Sequence, residues 1–393
     1  MSTTKTPNFA QRIESLPPLP DIVPAILDAT TSDTASAEQV AAVLGRDPTV
    51  AAKVLRIANS PFYSPGREIT DVTRAVVRLG VMAVRNLVIG VCAGSAMRST
   101  GRARKTHGLL WRHSVATAAA AELTARRISY KQPEEAFIAG LLHNFGQLAM
   151  LVTEAGLFEQ VAERTARGGM KFLYRERQAF GMDHTEAGAA LMRHWGLPAA
   201  LIDAAQHHHA GDADALTRRP LVAVVALADT LAQRLGMGMD LAAGVSSRTD
   251  AAIQALGLTG DDAFHIAQAL PGRVVEAGQM LGSAEPAPGP VDAGRSLTAV
   301  WVSPHGQPPD DMTRLLLETR GYRARVCLAE ELESIEDHDL VLFVGATDVC
   351  PGVAGIELVD GLPMREASDN LGRCRIPQEF SVFDLAWAEG RLS

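Results

Sequence analysis

Between Ser283 and Gly294 the chain reads SAEPAPGPVDAG, and every apolar period stops there. Pro, Gly and Ala without periodicity cannot bury a face, so the stretch predicts a linker over 283–296. The pattern differs on its two sides. Upstream, apolar residues recur at helical spacing. Downstream, LTAVWVS (297–303) and DLVLFVG (339–345) are short, apolar and rich in β-branched residues, as buried strands are, with a helical run over 310–319 and the strand-like RARVCLA (323–329) between them. A chain of 393 residues exceeds one ordinary domain of about 100–200 residues. The predicted layout is a tail at 1–15, an all-α domain at 16–282, the linker, and a small α/β domain with a doubly wound sheet at 297–393.

Helix boundaries are written into the first domain. Asp47-Pro48 gives an N-cap followed by Pro at the first helical position, and Val50, Val54 and Ile57 line the face that follows. Gly80 separates two amphipathic helices, 71–79 and 81–91. Further helices are predicted at 113–128, 134–143, 186–195, 198–209 and 221–235.

Composition excludes several classes of function. A formal charge of −8 opposes a general grip on nucleic acid, which needs clustered Lys and Arg. The cysteines Cys92, Cys327, Cys350 and Cys374 show no C-x-x-C spacing, so neither a zinc ribbon nor a disulfide framework is signalled. The N-terminus lacks the order of a signal peptide, and no stretch reads as a membrane span of roughly 20 apolar residues. A cytoplasmic protein acting away from membranes is expected.

Eight of the eleven histidines fall between His107 and His209. Singly, each reads as a surface or hydrogen-bonded core residue; the set asks for more. His113 is followed by small residues that permit close helix packing, His143 ends the apolar run AFIAGLL, and His184 sits at a predicted helix start. In the run His207-His208-His209, helical spacing turns His208 inward with Leu201 and Ala205. Asp229 lies in LVAVVALADTLAQRL, apolar all round and hence buried, and a buried carboxylate needs a cation or a hydrogen-bond network. Clustered imidazoles with a carboxylate suit one divalent ion such as Fe, Mn, Zn or Ni. Such ions acidify a bound water and polarise phosphoryl oxygens. Three readings stand open: a polar core without metal, one bound metal without turnover, and surviving hydrolysis.

LPPLP (16–20), RDPTVAAKVLRIANSPFYSPGREITDVTRAVVRLGVMAVRNLVIG (46–90), AFIAGLLHNFGQLAML (136–151) and DHTEAGAALMRHWGLPAALIDAAQHHH (183–209) together resemble the HDOD domain. The resemblance implies an all-α domain related to the HD and HD-GYP metal-dependent phosphohydrolases, found in bacterial signalling proteins and generally without demonstrated enzymatic activity. It implies first-ligand status for His113, the histidine of the HD pair for His143, and later metal ligands at His184, His207 or His208, and Asp229. The aspartate of the pair does not carry over: position 144 is Asn, and the GYP segment is absent after His209. The function expected is a non-catalytic signalling adaptor that binds a protein or small ligand, with partners in cyclic-di-GMP or two-component pathways. The alternatives are a cyclic-dinucleotide phosphodiesterase and a cyclic-dinucleotide receptor without turnover.

Two loops complete the reading. SPFYSPGR (60–67) presents Phe62 and Tyr63 either for docking or as plugs of the bundle, and Arg102, Arg104 and Lys105 form a short basic run expected in a solvated loop at the joint between two helical halves. The C-terminal domain resembles a receiver in element order alone, because SPHG (303–306) replaces the acidic residues after the first strand, and Asp348 comes too late after the third. Asp310 and Asp311 read as a helix start. A degenerate receiver-like module, not phosphorylated at that place, is expected.

Overall fold

The computed structural model describes residues 9–31, 35–60, 68–97, 103–166, 172–239 and 246–281, together with residues 315–316 and the five strands of a C-terminal sheet. The loop carrying Phe62, Tyr63 and Arg67, the linker, Arg102, SPHG, Asp310, Asp311 and Asp348 lie outside the described residues.

Helices come first and in number. The N-terminal group is α1 (Phe9–Glu14), α2 (Ile22–Ala29), α3 (Ala37–Leu44), α4 (Pro48–Ala58), α5 (Val72–Leu79) and α6 (Val81–Ala96). Ser36 and Gln39 form a capping box on α3, and the Asp47 carboxylate accepts from the Thr49 and Val50 N–H groups at the start of α4. Gly80, at φ 88°, breaks α5 from α6, a conformation that carries no Cβ penalty for glycine. Ile26, Leu44, Ile57 and Ile89 fill the core between these helices. Asn59 brackets the segment after α4: its Nδ2 donates to the Ile69 carbonyl at 2.7 Å, and its Oδ1 accepts from the Ile69 N–H at 2.8 Å. The Asn of RIANSPFY is thus a latch. The expected tail at 1–15 is corrected over its second half, since α1 buries Phe9 and Ile13, with the Phe9 ring 5.1 Å from that of Phe180.

The second group is α7 (Arg104–Arg127), α8 (Pro133–Leu142), α9 (Phe145–Thr153), α10 (Ala155–Ala166), α11 (Phe172–Phe180), α12 (His184–His194) and α13 (Ala199–His207), followed by α14 (Ala213–Thr217), α15 (Pro220–Arg234), α16 (Ser246–Leu256) and α17 (Gly260–Leu281). The long α7 is the axis on which α8, α15 and α17 pack. Its start corrects the basic-loop expectation: Arg104 and Lys105 are exposed residues of its first turn, and His113 lies inside the helix rather than opening it. LPPLP docks through its backbone, the Trp195 indole N–H donating to the Pro17 carbonyl at 3.1 Å.

The run 133–153 is long and apolar enough to cross a membrane, contrary to the sequence reading. It is two helices meeting at His143-Asn144, and 89% of its most apolar stretch is buried within the bundle, as a core helix would be.

The C-terminal segment holds β1 (Leu297–Val302), β2 (Tyr322–Cys327), β3 (Leu340–Val344), β4 (Gly355–Val359) and β5 (Arg373–Pro377). All pair in parallel, in the order β2-β1-β3-β4-β5, one of the orders of doubly wound sheets. The first three strands coincide with the predicted ones within a residue or two. GIELV and RCRIP were not singled out by the sequence pattern.

Candidate metal centre

The site is built where α7, α8, α12, α13 and α15 come together, and local sequence explains each placement. Pro133 and the acidic pair Glu134 and Glu135 start α8; it ends with His143 as its C-cap, so the ring leaves the helix at the break before α9. Asp183 caps α12 through a capping box with Glu186, which puts His184 in its first turn. The helix α13 ends at His207, and His208 is its C-cap residue. Glycines set the spacing. A Cβ on Gly140 would come within 2.7 Å of the Thr117 carbonyl oxygen, and one on Gly146 would collide with the His184 carbonyl oxygen.

Two groups of ligand atoms result. His113, His143 and Asp229 bring theirs within 4.8 Å of one another, and so do His184, His208 and His209. The groups adjoin, because the His143 and His208 ring centroids are 4.9 Å apart. His143, His208 and Asp229 have no exposure, His184 has 1% and His113 5%, leaving half-buried His209 as the side nearest solvent.

Hydrogen bonds fix how the rings face. Nδ1 of His143 meets the Gly140 carbonyl at 2.6 Å, Nδ1 of His208 the Ala205 carbonyl at 2.8 Å, and Nδ1 of His113 the Met237 carbonyl at 3.1 Å. Nδ1 of His184 meets the Glu176 carboxylate at 2.6 Å. Carbonyl and carboxylate oxygens only accept, so Nδ1 carries the proton in His143, His184 and His208, whose Nε2 is turned to the centre, while His113 meets an oxygen at both nitrogens, the Met237 carbonyl at Nδ1 and the Asp229 carboxylate at Nε2. The arrangement of the first three is the one in which imidazoles ligate metals. Nε2 of His143 and of His208 is buried without a hydrogen bond among the described residues. Nε2 of His113 lies 3.0 Å and that of His143 3.6 Å from Asp229 Oδ1, and Nε2 of His184 lies 3.0 Å from that of His209.

The electrostatics agree with the geometry. Burial lowers the His143 pKa and, reinforced by His143 beside it, takes that of His208 well below its ordinary value. Both rings are therefore neutral, with a lone pair to offer. Burial alone would raise Asp229, but the His113 and His143 rings outweigh it and hold the carboxyl well below the usual range. Burial likewise opposes the charge on His184, and Glu176 overcomes it and raises the pKa.

Orphaned neutral imidazole nitrogens beside an ionised carboxylate fit a divalent ion, and the histidine sets can hold one. Of the residues singled out by sequence, His113, His143, His184, His208 and Asp229 meet. His207 does not: it turns outward, with its Nδ1 2.9 Å from an Asp203 carboxylate oxygen and over a third of its side chain exposed. The run of three histidines turns at the end of α13, and the third, His209, takes the place proposed for His207. Helical spacing missed this because the helix stops at residue 207. Sequence also missed Glu176, whose only signal was a lone acid in FLYRERQAF.

The HDOD domain family matches residues 16–211 of the chain. Those residues form an HDOD domain. A solved HDOD domain protein of Geobacter sulfurreducens, itself of unknown function, is 27% identical, with a TM-score of 0.56 over 70% of this chain and 96% of that one. A protein of Shewanella amazonensis SB2B, provisionally titled a phosphohydrolase, is 26% identical, with a TM-score of 0.54 over 70% of this chain and 97% of that one. A provisionally titled signal transduction protein of Marinobacter aquaeolei VT8 shares the fold, at 24% identity and a TM-score of 0.57 over 71% of this chain and 62% of that one. A protein of Treponema pallidum (strain Nichols) is 27% identical over 229 residues, 58% of this chain and 44% of that protein, so the chain spans less than half of its length. The HDOD match stops at residue 211, while Asp229, on α15, lies beyond it.

Proposed function

We propose that the chain is a bacterial signal-transduction regulator whose HDOD domain acts by binding a protein partner or small ligand, without turning over a phosphoester. Asn144 carries this reading. It is buried, it follows His143 at the α8–α9 break, and its Oδ1 has no hydrogen-bond partner among the described residues. A neutral amide is a weaker ligand than the carboxylate of an HD pair, so a two-metal hydrolytic centre is disfavoured. One ion of the Fe, Mn, Zn or Ni kind remains compatible with His113, His143, Asp229, His184, His208 and His209. Such an ion, when bound, would act as a Lewis acid toward phosphoryl oxygens. The protein's own groups would supply imidazole nitrogens and the Asp229 carboxylate.

The strand order of the C-terminal sheet supports a receiver-like module coupled to this domain, and scattered cysteines support a reducing cytoplasm. The partners proposed are proteins of the cyclic-di-GMP or two-component kind. The second reading, a metal-dependent phosphohydrolase, is favoured by the two histidine groups and by the name of the Shewanella relative.

The test is hydrolysis of a cyclic dinucleotide and of a generic phosphodiester by the full chain, supplied with manganese or iron. No turnover above a His143→Ala control is expected, and Asn144→Asp should create turnover that His143→Ala removes. Wild-type turnover abolished by His143→Ala would overturn the proposal.

A further inference from the structure

Glu176 is fully buried on α11, in a position where an acid has no obvious structural use. Its Oε2 accepts two hydrogen bonds, one from the His184 backbone N–H at 3.0 Å and one from His184 Nδ1 at 2.6 Å. Its Oε1 is buried with no hydrogen-bond partner among the described residues. Neighbouring Arg177 turns away, to Asp183 and Glu186. Holding the first turn of α12 would need only a neutral acceptor such as a glutamine. A whole anion in the interior stabilises only where positive charge gathers next to it, on a protonated imidazole or on an ion that the imidazole ligates.

The far side of the same ring shows where that charge would be. His184 Nε2 looks toward His209 Nε2 at 3.0 Å, and the His184, His208 and His209 ligand atoms lie within 4.8 Å of one another. His208 Nε2 has no hydrogen bond among the described residues. A carboxylate behind a ligating histidine fixes its tautomer and strengthens its donor nitrogen.

We propose that Glu176 is a positioning residue: by accepting the Nδ1 proton of His184 it aims His184 Nε2 at His208 and His209, making the three imidazoles a site for one divalent ion of the zinc or cobalt type. This rests on the metal-holding reading of the centre and adds to it a second-layer residue and a preference for nitrogen-favouring ions over magnesium or calcium.

The experiment is a Co²⁺ titration of the untagged full chain, read by visible absorption and by the thermal midpoint of the metal-free protein, on wild type, Glu176→Gln, Glu176→Ala and His208→Ala. Wild type should take up one Co²⁺, and His208→Ala should lose it. Affinity should fall about 10-fold in Glu176→Gln and up to about 100-fold in Glu176→Ala, with displaced absorption bands. Unchanged affinity and bands in both Glu176 variants would overturn the role of Glu176 while leaving the metal reading intact. If wild type binds no Co²⁺, the metal reading fails and this proposal falls with it. Should Glu176→Ala not fold, Glu176→Gln decides: a lower thermal midpoint with unaltered binding and bands marks a structural residue and overturns the proposal.

Discussion

His113 Nε2 stands 3.0 Å from Asp229 Oδ1, joining α7 to α15 across 116 positions of sequence. Neither side chain has an adequate substitute partner in water, since Asp229 is fully buried and His113 nearly so. Removing one member of a buried pair strands the other, at a cost of about 3–5 kcal/mol. Asp229→Ala should therefore lower the unfolding free energy of the helical domain, read from urea denaturation, by about 3–5 kcal/mol. A loss under about 1 kcal/mol would show the pair to be ornamental.

Acid should destabilise the metal-free domain. His143 and His208 have pKa values held by burial below their ordinary 6.5, so below pH 6.5 the unfolded chain binds protons that the folded rings refuse. Their stabilising effect is present above pH 6.5 and is lost as pH falls toward their folded values. His184 works in the opposite direction: its raised pKa gives stability that is complete below 6.5 and lost as pH rises through the folded value. Two depressed rings against one raised ring predict a net loss on acidification, read from thermal midpoints between pH 7.5 and 5 with a chelator present. His208→Leu should flatten that slope, and an unaltered slope would refute the assignment.

Close packing at Gly146 sets the distance between α9 and α12. A methyl there would meet the His184 carbonyl oxygen and the Gly188 nitrogen, both backbone atoms that cannot swing aside. Gly146→Ala should cost at least about 1–3 kcal/mol, as overpacked cores do. Gly156→Ala, with nothing within 4 Å of the added carbon, is the matched control and should be neutral or mildly stabilising on its helix.

Glu122, 1% exposed on α7, receives two nitrogens of Arg273 from α17, with contacts of 2.8–3.1 Å. Arg273→Ala should destabilise by about 1.5–3 kcal/mol, as loss of hydrogen bonds to a charged group does. Since Arg126 also bonds Glu122, the double variant Arg126→Ala/Arg273→Ala should lose more than the sum of the two, because only then is the carboxylate left alone.

Cys92 gives a simple check on the core of α6. Burial pushes its thiol up to about 11, so at pH 8 a thiol reagent should leave it unlabelled in the native chain and label it in denaturant, as mapped by mass spectrometry. Native labelling would contradict the packing.

Much of this architecture was legible in the chain because local signals carried it. Asp47-Pro48, Gly80 and Asp183 fix helix ends by chemistry that acts within a few residues, and the apolar girth of α15 announced a buried Asp229. What stayed hidden was decided at helix ends and across long separations. Choosing among His207, His208 and His209 required knowing where α13 stops, and Glu176 meets His184 only after α11 folds back onto α12. The latch of Asn59 on Ile69 belongs to the same class: its residues were visible, but their pairing was not.

Asp229 comes from α15, outside the span that matches the HDOD family. A fragment trimmed to 16–211 would keep His113, His143, His184, His208 and His209 and discard the carboxylate that the first two face. Such a fragment would keep the neutral rings of His143 and His208 and the Glu176 carboxylate behind His184, but lose the buried carboxylate that faces His113 and His143, and should hold a cation more weakly. The family match ends at residue 211 and the charged centre extends to Asp229, so a binding measurement on the shorter piece would report on a different centre.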